Sequence, residues 1–330
     1  MLAVGVILFH SFPLTGRTIS WPPLHQFASQ IHVDGFFAIS GYLIVSSWMN
    51  HPSWFAYLRA RVLRIFPAFW VCLILTALVV VPLTTGVFTT ANLHYIVSNA
   101  GLLINQFDIA GTPRDVPYPE AWNGSLWTLF WEFGCYLAVL VFGLVGLLRR
   151  RRTILALFLF SVVIAVAVDL QLVHNFWINN GARFAPMFLA GAVIWRYRDR
   201  LPVGRVWIVG AVVIVLASQW LPDYRIVGAI PLAYLMLTAG ALLKAPRFRL
   251  RNDLSYGVYI YAFLVQQVLA VWGLYTLNVV VFFLLSTACT LPLAAASWFA
   301  IEKPALRLKH WRSSARSVVV TPAAAEQVSP

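Results

Sequence analysis

The chain has 330 residues, of which 61% are apolar, 15% aromatic and 11% charged. A water-facing domain averages about 45–50% apolar and about 25% charged residues, which excludes a soluble enzyme, a disordered chain and a secreted disulfide scaffold. A mean hydropathy of +0.79 points to an integral membrane protein. The net charge of +13 would suit a nucleic-acid binder by itself, but its distribution gives it another meaning.

In chain order, the apolar segments that can span a bilayer of about 20 residues' depth are 2–14, 33–49, 65–82, 126–148, 153–173, 184–197, 206–222, 227–243, 257–275 and 278–301. The first is short. Segment 93–104 is a weaker candidate, with His94, Asn99 and Asn105 in or beside it. Five basic clusters decide the topology, because Lys and Arg collect in cytoplasmic loops. They are Arg59/Arg61/Arg64, Arg149–Arg152, Arg196/Arg198/Arg200/Arg205, Lys244/Arg247/Arg249/Arg251 and Lys303/Arg307/Lys309/Arg312/Arg316. Only Arg17, Arg114, Arg183 and Arg225 lie outside them. The clusters share one side if 93–104 does not cross. The expectation is an all-α polytopic bundle of about ten transmembrane helices with both termini cytoplasmic. A single membrane domain covers 1–309, residues 83–125 form a long extracytoplasmic segment, and 310–330 form a disordered cytoplasmic tail.

Cys72, Cys135 and Cys289 lie in apolar stretches without CxxC spacing. They read as buried, inert thiols, and neither a disulfide nor a metal site is expected. The N-terminus lacks the basic region and small-residue cleavage site of a signal peptide. There is no internal repeat.

An ionisable side chain within a span costs about 2.5–3.5 kcal/mol on insertion scales. His10, Asp34, Glu132 and Asp169 bear that cost. An unperturbed imidazole suits a general base near neutral pH, so His10 reads either as such a base or as a core histidine held by a neighbouring helix. Glu132 either orients a base or hydroxyl, or completes a structural hydrogen-bond network. Asp34 begins the second span beside His32, and Asp169 is interfacial. Arg61 and Arg64 are spaced i, i+3 on one helix face, at the cytoplasmic mouth of the third span. Such a pair suits a phosphate-bearing ligand, or is a plain topological anchor. Pro67 fits the first turn of that helix. The glycine of Ser40–Tyr42 permits close helix packing.

Seven motifs in order carry a resemblance: LAVGVILFH ending at His10, HVDGFFAISGYLI at 32–44, RARVLRIFPAFW at 59–70, SLWTLFWEFGCYL at 125–137, RFAPMFLAGAVIW at 183–195, LSYGVYIYAFLVQQ at 254–267 and WFAIEKPALRL at 298–308. Together they resemble the membrane acyltransferase type 3 family from end to end. The resemblance implies transfer of an acyl group, often acetyl, from cytoplasmic acyl-CoA to a hydroxyl of a surface polysaccharide, a lipid-linked sugar or a secondary metabolite. It implies His10 as the key catalytic histidine, Arg61 and Arg64 as the acyl-CoA-handling pair, and Glu132 as the acidic residue of the fourth-span motif. Two departures stand out. The family's Arg eleven positions before the histidine falls just before Met1, so the native protein is expected to begin upstream and to include it. The family's Tyr-Leu-Trp-His reads Tyr259-Ile260-Tyr261-Ala262 here, without its histidine.

The expected mechanism has the CoA phosphates near Arg61 and Arg64, the thioester inside the bundle, and the acceptor entering from outside. His10 removes the hydroxyl proton, with Asp34 or Glu132 orienting it or the acceptor. No Ser or Cys stands out as a nucleophile beside His10, which favours direct transfer. The alternative is a plasma-membrane transporter or flippase of a glycolipid or metabolite, for which repeat symmetry would be expected.

Overall fold

The structure is a computed structural model, and it describes residues 1–242 and 252–308. The fourth basic cluster (Lys244, Arg247, Arg249, Arg251), the outer part of the fifth (Lys309, Arg312, Arg316) and the expected tail 310–330 lie outside the described residues. Among the described residues the fold is helical, without strands.

Helix α1 (Leu2–Leu14) is as short as its apolar run, and Pro13 sits in its last turn. Helix α2 (Pro22–Asn50) is 29 residues long and starts with a proline pair, whose fixed φ suits a first turn. It begins well before the apolar run at 33. The polar stretch preceding that run is helical because it docks: Gln26 Nε2 donates to the carbonyls of Gln219 and Leu221, each at 3.0 Å.

Helix α3 (Trp54–Leu75), a π-helical turn (Thr76–Val80) and α4 (Val81–Thr85) make one continuous helix of 32 residues. Pro67 is therefore interior and does not open the helix, in contrast to its sequence reading. The stretch before it carries Arg59, Arg61 and Arg64 and buries Tyr57 and Ala60, so packing extends the helix beyond the apolar run.

Helix α5 (Thr90–Asn99) has ten residues and a Thr89/Asn92 capping box. At 1.5 Å per residue it reaches about 15 Å, too short to cross. The segment around it is fastened to the π turn. Asn92 Nδ2 donates to the Ala77 carbonyl at 2.6 Å. Asn123 Nδ2 donates to Thr76 Oγ1 at 2.8 Å and to the Tyr95 hydroxyl at 2.9 Å. A π turn disturbs the helical ladder and frees backbone groups for such contacts.

Then follow α6 (Thr128–Leu144), α7 (Arg151–Asp169), α8 (Phe176–Tyr197), α9 (Arg205–Ser218), α10 (Arg225–Leu242), α11 (Ser255–Val271) and α12 (Val279–Ser297). A second π turn (Trp298–Glu302) joins α12 to α13 (Lys303–Arg307). Four helices are long and apolar enough to cross a membrane: Trp54–Thr85, Arg151–Asp169, Arg225–Leu242 and Val279–Arg307. Helices α1, α6, α9 and α11 are apolar but shorter. Each of the ten expected segments coincides with a helix, and the protein is a helical membrane protein.

The centre of the bundle is the α2–α8 crossing. A Cβ added to Gly41 would lie 1.8 Å from the Phe188 carbonyl oxygen, and one on Gly191 would lie 1.9 Å from that of Ala38. Only glycine permits that backbone approach, the small-residue logic of helix pairs in lipid. Phe37 and Phe184 stack beside it, with centroids 4.4 Å apart. Around this crossing the buried core draws on α3, α6, α10 and α11. Helix α9 lies outside, with Val206, Trp207, Val209 and Val213 exposed. The cysteines divide: Cys72 is buried as read from sequence, whereas Cys289 is exposed on α12, where an apolar stretch faces outward.

Candidate functional site

Three adjoining cavities run through the bundle. The first, about 100 Å³, is lined by Arg64 on α3, Glu132 and Tyr136 on α6, and Ser255, Tyr256 and Tyr259 on α11, among others. One helical turn separates Glu132 from Tyr136, so the Tyr136 hydroxyl donates to Glu132 Oε1. Ser40 Oγ of the Ser40–Tyr42 motif donates to the same oxygen at 3.3 Å. The carboxylate thus has a hydrogen-bond network while facing a cavity.

Arg61 and Arg64 follow the expected i, i+3 face but engage different neighbours. Arg61 Nη2 donates to Ser47 Oγ at 3.0 Å, and its guanidinium lies over the Tyr57 and Tyr136 rings at 5.4 and 5.8 Å. Arg64 Nη2 meets Asp253 Oδ2 at 2.7 Å, and Nη1 lies 4.0 Å from Glu302 Oε2. Arg64 lines the cavity, and Arg61 stands outside its lining. Burial pushes the Asp253 carboxyl up, but the Arg64 charge and hydrogen bonds from Ser255 outweigh it. Asp253 is held below its usual value.

The second cavity, about 380 Å³, contains His10. The imidazole is fixed edge-on to Phe263 at 5.1 Å and tilted against Phe9 at 5.7 Å. Three buried polar atoms on residues lining this cavity have no hydrogen-bond partner among the described residues: His10 Nδ1, Gln30 Oε1 and Arg183 Nε. Burying such groups without partners is costly, and all three belong to residues that line this cavity. The first two cavities share Val33, Thr128 and Tyr259 as lining. Tyr259 and Thr128 hydrogen-bond to each other across this wall, and the Tyr259 hydroxyl also meets the Ser125 carbonyl at 2.9 Å.

The third cavity, about 600 Å³, is lined by Phe107, Tyr118, Glu120, Trp131, Phe176 and Asn180, with others. It shares Tyr118, Gly124 and Trp127 with the His10 cavity. Much of it belongs to the 83–125 segment, which is held in place by Gln267 Nε2 donating to the carbonyls of Tyr118 at 2.7 Å and Ala121 at 2.6 Å.

Asp34 is placed differently. Its Oδ2 accepts from Arg225 Nε at 2.8 Å and from the Tyr224 hydroxyl at 2.5 Å, tying α2 to the start of α10. It lines none of the three cavities. Among the described residues no hydrogen bond joins His10 to Asp34 or to Glu132. Arg64 and Glu132 thus line one cavity and His10 the adjoining one, while Asp34 lines neither.

Sequence reading missed three participants. Arg183 opens a motif but carried no role, Arg225 was counted only as a loop cation, and Gln30 went unnoticed. A signal for the arginines was present: both lie outside the five basic clusters.

The Acyltransferase domain family matches residues 1–299. An O-acetyl transferase of Shigella phage Sf6 is 30% identical over 321 residues, covering 91% of this chain and 92% of that protein. Nodulation protein 10 of Rhizobium leguminosarum bv. viciae is 28% identical over 313 residues, covering 83% of this chain and 81% of its own length. No solved structure matches the chain. With a family match along nearly the whole sequence, and with the fold and cavities described above, the chain belongs to the membrane acyltransferase type 3 family and is an O-acyltransferase.

Proposed function

We propose that the protein is a plasma-membrane enzyme that moves an acetyl group from cytoplasmic acetyl-CoA to a hydroxyl of a surface glycan, glycolipid or secondary metabolite. Ten helices span the bilayer in this reading, with both termini cytoplasmic and the 83–125 segment outside. The observation that carries it is the shared wall: the cavity of Arg64 and Glu132 adjoins that of His10 through Val33, Thr128 and Tyr259. A donor held by phosphates at one end and a hydroxyl acceptor arriving at the other meet at that wall. The name of the phage relative, O-acetyl transferase, supports acetyl as the group.

The CoA phosphates bind Arg61 and Arg64, and for Arg64 the phosphate replaces Asp253. The thioester extends past Glu132 toward Tyr259. His10 takes the proton of the acceptor hydroxyl as its oxygen bonds to the thioester carbon. The C–S bond then breaks, and the CoA sulfur takes up a proton, which returns His10 to its neutral form. Glu132 keeps the α2–α6 contact in register beside the thioester. Asp34 acts as a positioning residue through α10. General-base help of this kind contributes about 10²–10⁴-fold.

The test is transfer of labelled acetyl from acetyl-CoA to a surface-glycan extract by the purified protein. His10→Ala is expected to abolish transfer and leave membrane insertion intact. Near-normal turnover would remove His10 as the base. Arg61→Ala with Arg64→Ala is expected to weaken acetyl-CoA binding more than the pair Arg149→Ala with Arg152→Ala. Equal effects would reduce Arg61 and Arg64 to anchors.

A further inference from the structure

Arg183 is a cation on α8, two helical turns before the Gly191 crossing point, and it lines the His10 cavity. Its guanidinium lies 5.4 Å from the Trp127 ring and 5.2 Å from the Phe184 ring. A cation–π contact of this kind is electrostatic and consumes none of the guanidinium N–H donors. No hydrogen bond or ion pair is formed by Arg183 among the described residues, and Nε is buried without a partner.

The charges around it do not supply a partner. Asp34 and Arg225 both act on Arg183 electrostatically, but they are bonded to each other at 2.8 Å and so largely cancel. Arg183 is also the one cation among the residues lining this cavity. A topological anchor would reach water or a carboxylate. This guanidinium instead stands to one side of two adjoining rings, whose centroids are 5.5 Å apart, and makes no hydrogen bond or ion pair among the described residues.

Acyl transfer creates negative charge in that cavity. As the acceptor oxygen bonds to the thioester carbon, the carbonyl π electrons move to its oxygen. That anion persists until the C–S bond breaks and the carbonyl re-forms. The proton meanwhile sits on His10, so the developing anion requires a donor other than the imidazole. On the reading given under Proposed function, we propose that Arg183 is a further catalytic residue, the donor that stabilises this oxyanion. Fixed donors in a water-poor site are worth about 10²–10³ in kcat each.

The experiment measures kcat and KM for acetyl transfer from acetyl-CoA to a surface-glycan extract, using the full chain with Arg183→Gln, Arg183→Lys, His10→Ala and the exposed control Arg152→Gln. Arg183→Gln is expected to lower kcat about 10²–10³-fold. Its KM for acetyl-CoA, its acetyl-CoA binding and its thermal midpoint stay near those of the parent. Arg183→Lys, which keeps the charge and loses the planar fork, is expected to fall between the two. Arg152→Gln is expected to match the parent. Normal kcat in Arg183→Gln overturns the assignment, as does a loss confined to KM for the glycan, which would make Arg183 an acceptor-binding residue. If Arg183→Gln fails to fold, Arg183→Lys decides, and parental kcat in a folded Arg183→Lys overturns the proposal. His10→Ala separates the two levels. If it too leaves turnover intact, the underlying reading fails; if it silences the enzyme while Arg183→Gln does not, only this inference fails.

Discussion

Two arginines, Arg225 buried and Arg183 partly buried, are treated in opposite ways in the bundle. Arg225 is joined to Asp34 at 2.8 Å and to Asp223 at 3.1 Å. Arg183, which feels the same pair, is held by two aromatic rings and has no ion pair among the described residues. A paired buried charge fastens helices. An unpaired one, facing a cavity with two other unpartnered polar atoms, is poised for something that arrives. The difference lies in the ion pair, since Asp34 Oδ1 and Arg225 Nη2 are also buried without a hydrogen-bond partner. Asp34, a candidate by sequence, is placed in this ion pair and away from the cavity lining.

The strongest way to break this comparison is to unpair the paired charge. Arg225→Met leaves Asp34 buried without its partner, and removal of one member of a buried pair costs about 3–5 kcal/mol. Arg183→Met is expected to leave stability nearly unchanged or to raise it, since no partner is stranded. Thermal unfolding of both variants in detergent checks the difference, and equal destabilisation would erase the distinction. Gly41→Ala probes the scaffold on which both arginines depend. A Cβ 1.8 Å from a backbone oxygen forces α2 and α8 apart, and overpacking of this kind costs about 1–3 kcal/mol. Loss of stability together with loss of transfer is expected there, because Arg183 and Asp34 ride on the two helices that separate. Ser40→Ala sharpens the comparison on a smaller scale. Glu132 keeps its bond from Tyr136 and loses one donor, at about 1 kcal/mol, read by the same unfolding measurement.

The smallest effect concerns pH. Asp253 lies below its usual value because Arg64 and Ser255 favour its charged form. Its contribution is therefore fully present above the unfolded value of about 3.9 and is lost as pH falls through the lower folded value. The difference in thermal midpoint between the parent and Asp253→Asn is expected to be constant from neutral pH down to about 4 and to vanish below it. A difference that disappears already near pH 6 would mean that Arg64 does not hold Asp253.

Much of this architecture is written in hydrophobicity. The ten apolar segments coincide with helices because a chain in lipid has to satisfy its backbone within each segment. What the apolar pattern hides is where helices continue through polar residues. Helix α2 runs back to Pro22 because Gln26 finds carbonyls on the α9–α10 turn, and α3 starts at Trp54 because Tyr57 and Ala60 pack inward. Neither contact leaves a periodic trace. At the candidate site, His10 and Glu132 drew attention because each is expensive in a membrane, and Arg64 because it shares a helix face with Arg61. Arg183 and Gln30 were not, since the value of a side chain as a free donor or acceptor depends on partners it lacks, and only coordinates reveal that. The rank of Asp34 likewise turned on Tyr224 and Arg225, nearly 200 positions away in sequence.

The wall of Thr128 and Tyr259 has a consequence for how a membrane stays sealed. If, as proposed, donor and acceptor approach from opposite faces, the protein is in outline a channel interrupted at its midpoint. Here the interruption is two hydroxyls bonded to each other, flanked by Val33. On that proposal, when both substrates are absent this bond would stand between the two approaches and help to close them to ions and water. When both are present, the reacting groups themselves fill the gap. Chemistry and permeability are thereby alternatives at one spot, and Tyr259→Phe, which removes half of the latch, is a substitution whose cost would be read as leak before it is read as lost turnover.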